Sequence, residues 1–185
     1  DLQAQHLILA SESPRRKALL AQIGIVPDAI HPAAIDESVR KGELPGPHAL
    51  RLASEKARAV ERDGFILAAD TVVACGRRIL PKAGDDDAVR ACLTLLSGRR
   101  HRVLTAVVVN GQLRLSVSHV QWRVLSNDEI SRYVASGEPM GKAGAYAIQG
   151  RAAQRIASIK GSYSGIMGLP VRETAALLAP WGLLP

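Results

Sequence analysis

The 185 residues suffice for one domain with a sizeable core, and no apolar run reaches the length of a membrane span. Apolar residues make up 47% and charged residues 22%, the balance of a folded globular chain and not of a disordered or fibrous one. A net charge of +7 fits nucleic acid, phosphorylated small molecules or a solvated basic surface; with aromatics at 3% there is little to stack single strands on, so a phosphate-bearing small ligand is favoured and no stable nucleic-acid partner is expected.

Leu7–Ala10 reads as a short strand, Ser11-Glu12-Ser13 as a turn, and Pro14 as the first residue of a helix capped by Ser13. Leu19, Leu20 and Ile23 form its buried stripe and Gly24 ends it. Arg15 and Arg16 fall in the first turn, where cations oppose the helix dipole. They make sense beside an anion at that N-terminus, or as solvated arginines on an ordinary capped helix. Residues 29–35 read as a second strand, ending at Asp36-Glu37-Ser38, which is either a polar turn or part of a hard-cation site. Residues 41–47 read as a Gly/Pro loop and 48–63 as a helix with Ala49, Ala53, Ala57 and Val60 at helical spacing. Lys56 lies beside that stripe, its ammonium either reaching inward or snorkelling to water.

Residues 65–74, FILAADTVVA, carry one acid, Asp70, in an otherwise apolar run that reads as a strand buried on both faces. A carboxylate there needs a cation, a metal or several donors, unless it caps a loop at a strand end through Thr71. A hairpin turn follows at Gly76-Arg77, then Pro81-Lys82, and a helix over 85–97 with Val89, Cys92, Leu93 and Leu96 on one face. Its run of Asp85, Asp86 and Asp87 reads as capping and dipole complementarity, not as a metal site. Residues 101–109 and 113–124 read as strands joined at Asn110-Gly111, with His101 structural; Ser126 and Glu129 read as a capping box for a helix to Ala135. Residues 140–164 read as glycine-rich loop bearing Lys142, Tyr146, Gln149, Lys160, Ser162 and Tyr163, and 169–179 as a last helix. Cys75 and Cys92 fit no disulfide or metal-finger spacing and read as free thiols of a cytoplasmic protein, and the first residues lack a signal-peptide pattern. The whole chain, 1–185, reads as a single α/β domain with a mixed twisted sheet and flanking helices.

Five segments taken together resemble the Maf family of nucleoside triphosphate pyrophosphatases: LASESPRR (9–16), AADTVV (68–73), SGRRHRVLTAV (97–107), GKAGAYAIQG (141–150) and IKGSYSGIMGLPV (159–171). They stand in family order across nearly the whole chain. The resemblance implies two lobes around a cleft, related to the inosine triphosphate pyrophosphatase fold. It implies a cytoplasmic homodimer that uses a divalent cation, Mg2+ or Mn2+, and cleaves between the α- and β-phosphates. The GAYAIQG form resembles the branch acting on dTTP and UTP; modified pyrimidine nucleotides, a 7-methyl-GTP preference and a non-catalytic, nucleotide-binding regulator of cell division are the alternatives. By position, Asp70 matches the catalytic proton acceptor, and Arg15, Thr71 and Gln149 match positions that set substrate choice. Ser13, Arg16, Glu37, Lys56 and Lys82 match the phosphate- and metal-side residues, with Glu37 and Asp70 as metal ligands. Two departures stand out: Lys82-Ala83 where the family has Lys-Pro, and Gly141-Lys142-Ala143-Gly144 where it has Asp-Lys-Ala-Gly.

Overall fold

The computed structural model describes residues 6–185. Its strands are β1 (Leu7–Leu9), β2 (Ala29–Ile30), β3 (Phe65–Cys75), β4 (Arg78–Leu80), β5 (Arg100–Val109), β6 (Gln112–Trp122) and β7 (Ile156–Lys160). The helices are α1 (Pro14–Gln22), α2 (Pro45–Arg58), α3 (Asp86–Leu96), α4 (Asn127–Ala135), α5 (Tyr163–Met167) and α6 (Val171–Leu178). All seven strands form one sheet in the order β2-β1-β3-β5-β6-β7, with β4 added on β3. β1 runs parallel to β2 and β3, and every other pairing is antiparallel, which makes the sheet mixed.

The position of the cleft follows from β3. Leu67 pairs with Leu9 on one edge and with Val109 on the other, while Val73 pairs with Leu80 on one edge and Val103 on the other. β5 therefore takes the whole of one edge, and β1 and β4 divide the second between them. The strand forks, with residues 68–72 of the second edge left between the two arms. Asp70 stands in that gap, in the middle of the strand and 3% exposed, so it is no strand-end cap.

Side chains alternate across the sheet. Asp70 shares its face with Ala68 and Val72, which pack with Ala49 and Ala53 of α2. Thr71 points to the opposite face. On that side Leu67 and Ala69 pack with Leu19 and Leu20 of α1 and with Leu177 and Leu178 of α6. The far arm has a separate cluster, in which Val89, Leu93 and Leu96 of α3 pack on Val120 and Trp122 of β6 and Ile130 of α4. The cleft lies between these bodies.

Local chemistry accounts for most boundaries. Ser13 Oγ accepts from Arg16 N at 3.4 Å and Asp85 Oδ1 from Ala88 N at 2.7 Å, so both helices start where a side-chain cap stands. Asn110 and Gly111, at φ 48° and 80°, make the tight turn between β5 and β6. Four expectations need correction. The second strand stops at Ile30: His31 N still donates to Leu9 O at 2.9 Å, but Pro32 has no N–H with which to continue. α2 begins at Pro45, a favoured first helical residue, and ends at Arg58, so the helix read over 48–63 starts three residues earlier and ends five residues earlier than expected. Residues 140–164 are not all loop, since they contain a short 3₁₀ turn (Arg151–Arg155), β7 and the start of α5. The capping box of α4 is only half made: Ser126 Oγ accepts from Glu129 N at 3.1 Å, but the Glu129 carboxylate turns to Arg155 Nε at 2.7 Å.

Candidate active site

All nine residues that the family resemblance assigns to the site line one cleft of about 290 Å3. At its floor Lys56 Nζ donates to Asp70 Oδ1 at 2.6 Å and lies 2.7 Å from Glu37 Oε1. The lysine side chain is 11% exposed, so its ammonium reaches inward, and the snorkelling alternative falls away. Lys82 closes the cluster at 3.4 Å from Glu37 Oε2 and is more exposed. Burial pushes the Glu37 carboxyl up, but the hydrogen bond and charge of Lys56, with those of Lys82, hold it below the usual carboxylate range.

Glu37 sits on an extended segment with no regular structure, so something else must fix it. Asp36 Oδ1 accepts from Ser38 N at 2.9 Å and from Ser38 Oγ at 2.5 Å, which makes the turn. Arg51 on α2 then donates to Ser38 O at 2.9 Å and to both oxygens of Glu43, at 2.6 and 2.8 Å. The Arg51 hydrogen bonds, with help from His48, hold the Glu43 carboxyl down to about 2 against the push of burial. The two readings of Asp36-Glu37 thus divide: Asp36 is the polar turn and Glu37 is the acid that faces the cleft. Glu43 and Arg51 were not anticipated, and an isolated Glu beside a Gly/Pro loop gives no pattern by which to find them.

The other face of β3 supplies a second set. Arg16 Nε donates to Gly168 O at 2.8 Å, NH1 to Ser11 Oγ at 3.2 Å and NH2 to Thr71 Oγ1 at 3.2 Å. Three of the five guanidinium N–H groups are thereby used to tie α1, β3 and the turn after α5 together. Arg16 is thus a strut, which narrows the anion-binding role expected for it. Burial lowers its pKa, opposed by the charge of Asp70. Thr71 Oγ1 is 3.0 Å from Thr105 Oγ1, its register partner on β5. Arg15 Nε is buried without a hydrogen-bond partner among the described residues, and the guanidinium lines the cleft, ready for an anion.

Lys142, Tyr146 and Gln149 of the glycine-rich stretch line the cleft, whereas Lys160, Ser162 and Tyr163 do not. Lys142 Nζ is bound to Glu138 O at 2.6 Å and so belongs to the loop's own fabric. Gln149 is exposed at the mouth. The loop before it is pinned from behind. Tyr133 Oη accepts from Ala147 N at 3.2 Å, Glu138 Oε1 accepts from Arg151 N at 2.9 Å, and Tyr146 Oη shares a 2.7 Å hydrogen bond with His101 Nε2. Trp122 packs edge-on against Tyr146 at 5.1 Å between centroids. Gly144 takes φ +68° with Val73 Cγ1 2.8 Å from where a Cβ would stand, so the loop lies directly on β3.

The arrangement combines a buried acid, a second acid on a braced segment, and more cations than acids around one cleft. A family model described as Maf-like protein matches residues 6–181. The chain belongs to the Maf-like family. Similar proteins are named dTTP/UTP pyrophosphatase in Paramagnetospirillum magneticum (54% identical, covering 97% of this chain and 98% of the relative), Zymomonas mobilis (55%; 95% and 91%) and Maricaulis maris (53%; 98% and 90%). For a Maf-like chain the donor set is informative about metals. Two carboxylates, Glu37 and Asp70, converge, and no group of three or more His, Cys, Asp or Glu forms a metal cage among the described residues. That fits a hard cation of the Mg2+ or Mn2+ kind, which keeps waters and draws further ligands from phosphate oxygens.

Proposed function

We propose that this Maf-like chain is a nucleoside triphosphate pyrophosphatase that hydrolyses dTTP and UTP, and modified pyrimidine nucleotides of the same shape, to the monophosphate and pyrophosphate. The observation that carries the reading is Asp70, 3% exposed on a rigid strand at the floor of a cationic cleft. The relatives' printed names supply the substrate class.

Asp70 takes the proton of a water that attacks the α-phosphorus in line, and the strand fixes its carboxylate for that purpose. Arg15, with its unpartnered Nε, and Lys82 at the cleft edge neutralise the triphosphate. The N-terminus of α1 adds backbone N–H donors. Glu37 and Asp70 would hold Mg2+ or Mn2+, which supplies charge neutralisation at the phosphate oxygens. Gln149 offers both a donor and an acceptor at the mouth, suited to a pyrimidine edge, and Thr71 and Arg15 line the same cleft.

Pyrophosphate release from dTTP, UTP, dCTP and GTP, each with Mg2+ or Mn2+, tests the reading; no release from dTTP or UTP refutes it. Asp70→Asn should lower kcat by at least about a hundredfold while the circular dichroism spectrum stays that of the wild type. Unchanged turnover would remove Asp70 from the chemistry.

A further inference from the structure

Lys56 stands where a free divalent cation would have to bind. Its Nζ is 2.6 Å from Asp70 Oδ1 and 2.7 Å from Glu37 Oε1, so one ammonium takes an oxygen from each of the two carboxylates. Lys82 approaches the remaining Glu37 oxygen at 3.4 Å. The Lys56 stem is held on α2 with the side chain 11% exposed, so the ammonium does not sweep freely through water. The surroundings add to this: the cleft lining holds five cationic side chains (Arg15, Arg16, Lys56, Lys82, Lys142) against three carboxylates (Glu12, Glu37, Asp70). A lone dication entering that gap meets a like charge already seated and a site short of acids. A hard cation of this kind is ordinarily bound through one or two carboxylates together with substrate phosphates.

We propose that the resting protein has no standing metal site, and that the species it takes up is the preformed metal–nucleotide chelate, with Lys56 keeping the gap between Glu37 and Asp70 closed until that chelate arrives. The inference rests on the pyrophosphatase reading and deepens it by naming the form of the substrate. The triphosphate presents anionic oxygens to which the Lys56 ammonium can transfer, and this transfer opens Oδ1 of Asp70 and Oε1 of Glu37. One charge interaction is exchanged for another, and the Asp70 carboxylate is never left buried and unpaired, a state that is strongly disfavoured. Metal and nucleotide affinities are then coupled, and by linkage each raises the other by the same factor.

Enhancement of water-proton relaxation by protein-bound Mn2+ tests this without turnover. With Mn2+ alone the wild type should show none up to millimolar metal. With Mn2+ and the non-hydrolysable α,β-methylene analogue of dTTP it should show enhancement, with Mn2+ held at least about tenfold more tightly than without nucleotide. Lys56→Gln should bind Mn2+ in the absence of nucleotide at least about tenfold more tightly than the wild type. Lys56→Met serves as a second variant, and circular dichroism checks both for folding. Mn2+ bound tightly by the nucleotide-free wild type would overturn the inference, as would folded Lys56 variants that bind Mn2+ no better. Absence of enhancement with the analogue would overturn it too. The two wild-type arms decide whether the resting protein has a standing metal site even if neither variant folds. Pyrophosphate release from dTTP, measured separately, tells failure of this inference from failure of the pyrophosphatase reading.

Discussion

His101, 1% exposed behind the cleft, shows what burial does to a single side chain. Its Nε2 has Tyr146 Oη at 2.7 Å, while Nδ1 has no partner among the described residues. Burial alone lowers its pKa to about 4, so the imidazole is neutral in the fold. A base whose pKa is depressed by folding lends its full stability above its unfolded pKa, near 6.5, and loses it as pH falls towards the folded value near 4, because the unfolded chain binds the proton first. The loss attached to His101 is on the order of 3 kcal/mol across that window. The thermal midpoint of the wild type should therefore fall between pH 6.5 and pH 4, and that of His101→Gln should fall less. Parallel pH profiles of the two proteins would contradict the assignment. Asp70 shows the contrasting case of a buried group that keeps company: Lys56 answers it directly at 2.6 Å.

At the scale of elements, the loop 141–150 depends on its contact with β3. Gly144→Ala forces a Cβ to within 2.8 Å of Val73 Cγ1 at φ +68°, where an L-residue is already strained. The loop must lift, and Gln149 moves with it. The expected result is a loss of about 1–3 kcal/mol of stability together with a narrower kcat/KM ratio between dTTP and dCTP; a stable variant with unchanged selectivity would show that the loop does not set base choice. How much of this was legible in the sequence differs from element to element. α3 could be read whole, because its cap at Asp85 and its stripe Val89, Cys92, Leu93 and Leu96 are both local signals. The Asn110-Gly111 turn was legible for the same reason. β7 was not: it is an edge strand with one half-buried and four exposed residues, so no apolar alternation marks it. The residues that line the candidate site were legible as motifs on either side of Asp70. Their braces, namely Glu43 with Arg51, and Tyr133 and Glu138 behind the loop, were not, because long-range hydrogen bonds leave no period in a chain.

Taken whole, the protein carries a net charge of +7, and its cleft has more cations than acids. Long-range attraction should therefore help to gather a polyanionic substrate. Raising NaCl from about 0.05 to about 0.5 M shortens the screening length to a few ångströms, so KM for dTTP should rise several-fold and kcat change less. A flat KM across that range would confine the cations to short-range contacts. The division of β3 between two neighbours has a last implication at this scale. The acid rides on a strand that both halves share, at the crotch from which they diverge. If the halves spread to admit a bulkier base, or draw in on a smaller one, the mouth changes width while the carboxylate keeps its station. Tolerance towards the base and exactness towards the phosphorus are thus assigned to different places in the molecule, and one can drift without disturbing the other.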